Sequence, residues 1–198
     1  MIQSTDELLA EVIPFVPGCA DVLIEKELRS AWRTFCKDSF IWRQDAADIP
    51  IADGESRYLI EPNQVHADLR KVRRIDVYGP TDHCFARLKE GKDYYVEYRT
   101  DGRRNIVLRA PGTIHHANQQ MVLRARLILI PFPGDNGQQA AGLIREWSEA
   151  ICEQAMFRLH SMTGRPWADL ALAAQEEAAY KGRVTEALSQ LRGEEGWL

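Results

Sequence analysis

At 198 residues, with 45% hydrophobic and 27% charged residues, the chain has the composition of a globular protein with a packed core, which excludes the disordered and fibrous classes. The formal net charge of -4 gives no bulk attraction to polyphosphate, so nucleic-acid binding requires a local basic patch.

No basic start followed by a long apolar run opens the chain, because Asp6, Glu7 and Glu11 interrupt Leu8, Leu9, Val12 and Ile13. The longest apolar run, residues 127–132, is too short to cross a bilayer, so a soluble, intracellularly made protein is expected. Residues 5–13 read as a short helix capped by Ser4 or Thr5, and Pro14 and Pro17 break it. Over residues 21–37, Ile24, Leu28, Ala31, Trp32 and Phe35 recur at helical spacing and form one buried stripe. Glu25, Lys26, Glu27, Arg29 and Arg33 occupy the remaining arc, with Glu25 and Arg29 placed as an i,i+4 pair.

After Phe40-Ile41-Trp42 the helical period gives way to short extended runs. Residues 49–52 and 57–61 flank Asp53-Gly54 and read as a hairpin. A strand set from Leu69 carries Val72, Ile75 and Val77 and stops at Gly79-Pro80. Residues 93–98 and 105–109 flank Asp101-Gly102 and give the clearest hairpin, and residues 121–130 supply a last long strand. Turn formers concentrate over residues 131–137. Helix resumes over residues 138–161, with Ala140, Leu143, Ile144, Trp147, Ile151, Ala155, Leu159 and Met162 on one stripe and Gly164 as its cap. A second helix runs from Pro166 to about Arg192 on Trp167, Leu170, Ala174, Ala178, Val184, Leu188 and Leu191.

Helices, then strands, then helices predict an α+β fold rather than a doubly wound cofactor-binding one. The expected architecture is a helical bundle made of N-terminal helices (residues 1–42) and a C-terminal helical hairpin (134–198), with an antiparallel β-rich insertion (43–133).

Chemistry-bearing patterns are absent: there is no G-x-S-x-G, no glycine-rich phosphate loop and no C-x-x-C. No catalytic, cofactor-binding or metal site is therefore expected. Cys19, Cys36, Cys84 and Cys152 read as reduced core thiols. His83 and Cys84 are neighbours that point to opposite faces of a strand. His115-His116, after Pro111-Gly112, falls in an exposed loop where a weak metal site stays open, and His66 and His160 read as surface or interface residues. A small hydrolase or metal enzyme rests on these histidines and Cys84 alone.

Basic residues cluster in the strands: Arg70, Lys71, Arg73 and Arg74 in one, Arg103 and Arg104 beside the Asp101-Gly102 turn, and Arg124 and Arg126 in the last. Against the glutamate-rich C-terminal helices they fit a solvated strand face, subunit contacts, or contact with a phosphate backbone. Tyr94, Tyr95 and Tyr98 suit base stacking and a sheet face equally.

The segment from Ala20 to Trp42, ending in Trp32-Arg33-Thr34-Phe35 and Phe40-Ile41-Trp42, resembles the N-terminal helix and aromatic entry of phage head-to-tail adaptor (connector) proteins. The run from Trp147 to Leu191, with Met162-Thr163-Gly164-Arg165-Pro166-Trp167, is similar to their closing helical hairpin. For short-tailed phages the resemblance implies a virion structural protein, not an enzyme: a homo-oligomeric, twelve-subunit ring between the portal protein and the tail nozzle or other tail proteins, touching passing DNA and no membrane. Another neck, tail-completion or baseplate connector component is the neighbouring reading. A nucleic-acid-binding module using Arg70 to Arg74 is the reading from a different class.

Overall fold

The computed structural model describes residues 4–62, 67–98, 104–109 and 120–193. The protein is mixed α+β with antiparallel sheets. The chain divides into two compact units, one of residues 1–42, 66–68 and 130–198 and one of residues 43–65 and 69–129.

The helical unit opens with a 3-10 turn (Thr5–Leu8), α1 (Leu9–Val12) and a second 3-10 turn (Ile13–Phe15), so the helix expected over residues 5–13 forms as short pieces. Ser4 makes no side-chain cap bond, and Pro14 removes a backbone donor. Leu8, Val12 and Val16 are nevertheless buried. Next comes α2 (Asp21–Ser39), in which Ile24, Leu28, Ala31, Trp32 and Phe35 are all buried as their spacing requires. Glu25 and Arg29 form the expected pair at 3.6 Å. Phe40, in the left-handed region at φ 56°, stops the helix where glycine is usual. Buried Ser39 is satisfied by donating to the Phe35 carbonyl at 2.6 Å and accepting from the Ile41 N–H at 3.3 Å.

The one helix expected over residues 138–161 is a 3-10 turn (Gln138–Ala140), α3 (Ala141–Glu146) and α4 (Ser148–His160), broken at Trp147 with φ -114°. At that break the Trp147 ring packs on Phe35 with centroids 5.3 Å apart. Gly164, at φ 78°, turns the following link and does not cap α4, which ends at His160. The last helix, α5 (Leu170–Gly193), starts later than Pro166 because Asp169 Oδ1 accepts the N–H groups of Ala171 (2.9 Å) and Leu172 (3.0 Å). Its buried face is accordingly Ala173, Tyr180, Ala187 and Leu191, whereas Leu170, Ala174 and Ala178 from the expected stripe are exposed. Helices α2, α4 and α5 pack on one another in all three pairings.

Phe35 touches all three, with the Tyr180 ring edge-on at 6.3 Å. The Tyr180 hydroxyl donates to Asp38 Oδ2 at 2.9 Å, and burial together with Asp38 holds the phenol well above its ordinary pKa. Between α2 and α4, Arg158 donates to Ser30 Oγ and, at 2.7 Å, to Thr34 Oγ1, and lies 3.5 Å from Glu27.

The β unit holds two sheets. The larger runs in the order β1 (Arg43–Asp45), β8 (Val122–Pro131), β4 (Ala67–Tyr78), β5 (Cys84–Leu88), with β2 (Ile49–Pro50) also on β8. Residues 67–68 and 130–131 at the ends of β4 and β8 count with the helical unit. The smaller sheet is β3 (Arg57–Ile60), β7 (Arg104–Leu108), β6 (Tyr94–Tyr98). The hairpin expected across Asp53-Gly54 does not form: Ile49 pairs with Leu123 in one sheet and Tyr58 with Ile106 in the other. A turn motif fixes a local reversal, and here the reversal carries the chain between sheets. The β6–β7 pairing agrees with expectation, from Tyr94↔Leu108 to Tyr98↔Arg104, and its Asp101-Gly102 turn lies outside the described residues. Strand β5, which pairs Leu88 with Ile75, has no counterpart in the sequence reading. Along β8, Leu123, Ala125, Leu127 and Leu129 are buried and Arg124 and Arg126 share the opposite face.

Two substitutions in the helical unit test this packing. Phe35→Ala leaves a void between three helices and is expected to cost about 3–5 kcal/mol in urea unfolding. At Gly137, where φ is 72°, an added Cβ meets Ile144 Cδ1 at 2.4 Å and Trp32 Nε1 at 2.6 Å. Gly137→Ala is expected to cost about 1–3 kcal/mol by overpacking, measured the same way.

Candidate interaction surfaces

Arg124 and Arg126 leave the exposed face of β8 at alternate positions, and both are engaged by carboxylates that are remote in sequence. Asp45 sits directly opposite Arg126 in the β1–β8 register and accepts its Nε–H at 2.9 Å. Asp48, in the break between β1 and β2, takes two bonds from Arg124 at 2.8 and 3.0 Å. A third carboxylate, Asp82 in the turn before β5, accepts from Arg124 Nη1, and the Tyr78 ring lies 4.3 Å from the guanidinium. Donating to Asp48, then to Asp82, holds Arg124 more firmly charged, and accepting from Arg124 holds Asp48 below the usual carboxylate value. Three carboxylates thus meet two guanidiniums, which leaves no positive excess at this place.

In β4, Arg74 pairs with buried Asp76, whose other oxygen is 3.5 Å from Arg87. Arg73 is half-buried, while Arg70 and Lys71 are exposed and make no ion pair among the described residues. Arg104 lies 4.7 Å over the ring of Tyr98, its partner across the β6–β7 ladder, and Arg103 lies outside the described residues. Of the candidate basic residues that are described, Arg74, Arg124 and Arg126 are thus clamped by carboxylates, whereas Arg70 and Lys71 make no ion pair among the described residues. The sequence shows the arginines but not Asp45, Asp48 and Asp82 as their partners.

The glutamates of α4 and α5 are similarly engaged. Arg183 of α5 pairs with Glu149, with Glu153 at 3.7 Å and with Glu186 at 3.5 Å. Lys181 pairs with Glu177 at 2.7 Å. Burial raises Glu153 and Glu176, with Arg183 partly offsetting the first and His160 the second. Cys152 Sγ donates to Glu11 Oε2 at 3.6 Å, and burial followed by the Glu11 charge pushes the thiol far up. Glu194 and Glu195 lie outside the described residues.

The histidines and cysteines divide. His160, expected at a surface, is 1% exposed at the end of α4, with Nε2 3.2 Å from the Phe15 carbonyl, because the N-terminal turns cover it. His83 stacks edge-on against Phe85 at 5.8 Å. Cys36 and Cys152 are core thiols as expected, but Cys84 is exposed and Cys19 half-exposed. His66, His115 and His116 lie outside the described residues. Among the described residues, no group of three or more His, Cys, Asp or Glu is placed to hold a metal ion.

Two clefts are lined by described residues. One of about 370 Å³ is bordered by Arg29, Phe132, Pro133, Gly134, Asp135 and Asn136, and its arginine is held by Asp6 through bonds of 2.9 and 3.0 Å. The other, of about 220 Å³, lies over Trp147 beside the Arg183 network. Neither gathers a nucleophile and a base. Among the described residues, no helix is long and apolar enough to cross a membrane.

The raised carboxyl of Glu176 has a signed consequence. Its folded value lies above the ordinary 4.5, so its contribution to stability is fully present below that value and is lost as pH rises through the folded pKa. Glu176→Gln is therefore expected to raise the thermal midpoint at pH 7, with the gain vanishing below about pH 4.5. Scanning calorimetry of both forms across that range checks it. In the β unit, Arg124→Gln is expected to return the Asp48 carboxyl toward 3.8, read by side-chain NMR titration. No protein-family model matches the chain, and no curated protein compared with it shows significant sequence similarity.

Proposed function

We propose that the chain is a head-to-tail adaptor, a ring subunit that joins the portal to the tail in a short-tailed phage virion. One observation carries the reading: helix α2 from the beginning of the chain packs on α4 and α5 from its end, and the residues between are given to two antiparallel sheets. In this reading the helices are a bundle and the β unit is its insertion. The function is then mechanical and resides in surfaces, with portal on one side and tail proteins on the other. Closing a ring takes heterologous contacts, in which one face of a subunit meets a different face of the next. Arg70 and Lys71, exposed and without an ion pair among the described residues, are candidate cations for such a contact.

The nucleic-acid reading draws on the same pair and is weakened by the clamping of Arg74, Arg124 and Arg126. A contact made by Arg70 and Lys71 alone neutralises few phosphates, so binding to duplex DNA through this pair is expected to fall with salt at a log–log slope of about -2. A slope near -6 would favour the nucleic-acid module. The adaptor reading is tested by mixing the purified chain with portal from the phage that encodes it and imaging by electron microscopy. Rings seated on portal are expected, and the double variant Arg70→Glu, Lys71→Glu is expected to fold normally while losing occupancy by about tenfold. Portal that stays bare at saturating concentration sinks the proposal.

A further inference from the structure

The cleft of about 220 Å³ lies wholly within the helical unit, where the break at Trp147 meets the second half of α5. Its lining holds three carboxylates, Glu146, Glu149 and Glu186, and one cation, Arg183, which is already shared between Glu149, Glu186 and the neighbouring Glu153. Glu146 makes no ion pair among the described residues, and Arg145, next to it in sequence, does not line the cleft. One guanidinium among three carboxylates leaves an excess of two negative charges. Trp147 is 4% exposed, and its Nε1–H has no acceptor among the described residues. Carboxylates around an indole and the Ala150 methyl suit a long cationic side chain, whose stem packs on the apolar surface while its head meets the acids.

The chain carries such side chains in its other unit. In β4, Leu69 and Val72 are buried while both residues between them are exposed, so the inside–outside alternation slips there and Arg70 and Lys71 reach solvent side by side. Neither makes an ion pair among the described residues. Asp68, the acid that precedes them on the strand, lies 3.8 Å from Arg33, and Asp76, the acid that follows, pairs with Arg74. The two adjacent cations match the excess of the cleft in sign and in number.

We infer that Arg70 and Lys71 of one copy enter the acidic cleft at Trp147 of the next, a head-to-tail contact between the β unit of one subunit and the helical unit of its neighbour. Such a contact is heterologous, because a strand of one copy meets helices of another, and its repetition generates a ring or a filament. It rests on the adaptor reading for closure into a ring, and it deepens that reading by assigning the two faces that meet. Reversing either face sets like charges against each other, and reversing both restores the match.

Sedimentation velocity of the purified full chain at low salt, without portal, is the first measurement, and self-association that rises with concentration and falls with added salt is expected. Arg70→Glu with Lys71→Glu, or Glu146→Lys with Glu186→Lys, is expected to weaken that association by at least about tenfold. The two reversals are expected to rescue each other. An equal mixture of the double variants sets each altered face against its complement and assembles by alternation, and the chain carrying all four substitutions associates with itself. Should the double cleft variant fail to fold, Glu146→Lys alone, at an exposed residue without an ion pair among the described residues, carries the test. A chain that stays monomeric, association indifferent to both reversals, or double variants that fail to associate when mixed overturns the inference. Portal that stays bare sinks the adaptor reading and leaves this contact standing, whereas rings on portal that ignore the cleft reversal sink this contact and leave the adaptor reading standing.

Discussion

The helical unit depends on Phe35 meeting Trp147 and Tyr180. Those three rings come from α2, the break between α3 and α4, and the middle of α5, and each helix buries its apolar side through them. Because α2 ends before residue 40 and its partners begin after residue 140, the burial of α2 is not available to the N-terminal segment alone, whereas α4 and α5 pack on each other within the C-terminal one. The closure is long-range, and its entropic cost grows only logarithmically with the length of the intervening chain. A long stretch of chain between α2 and α3 is therefore thermodynamically tolerable. What it requires is that the returning chain be turned tightly, and Gly137, set against Trp32 and Ile144 with no room for a Cβ, does this.

Polar contacts reinforce that closure and follow the same logic. Arg158 reaches across from α4 to Ser30, Thr34 and Glu27 on α2, Tyr180 reaches Asp38, and Arg29 holds Asp6 on the first turn. Each joins segments distant in sequence. Within the β unit Arg124 performs the equivalent task, bridging the interrupted edge at Asp48 to the turn at Asp82. Charges that look like a field in one dimension are in this way partly consumed locally in three.

Reading the sequence succeeds where a signal is local and periodic. The stripe of α2, the alternation of β8 and the pairing of β6 with β7 are all of this kind. It fails where tertiary contacts select among local options. Asp53-Gly54 has the chemistry of a hairpin turn, yet Ile49 finds Leu123 and Tyr58 finds Ile106, because each strand has a better partner elsewhere. The buried face of α5 is rotated from the one its apolar spacing predicts, with Ala173, Tyr180 and Ala187 inside in place of Leu170, Ala174 and Ala178. In fact two alanines flank Tyr180 at seven-residue spacing, which admits close approach of α4, while Leu170 remains in water. The basic residues of the candidate surface were visible, but three aspartates separated from Arg124 and Arg126 by some 40 to 80 positions were not, since nothing local marks a cross-strand pair.

Single carboxyls in the two units answer acid with opposite sign. Glu153 and Glu176 hold their protons more tightly folded than unfolded, chiefly through burial, so lowering pH through their folded values relieves the helical unit. Asp48 holds its proton less tightly, through its bonds to Arg124, so its contribution is present at neutral pH and fades as pH falls through its folded value. Protonating Asp48 thus weakens one arm of the Arg124 clamp, which Asp82 also holds, while Glu153 and Glu176 are eased at the junction of α4 and α5. Because the cause is burial in one case and ion pairing in the other, salt weakens the second and leaves the first largely untouched.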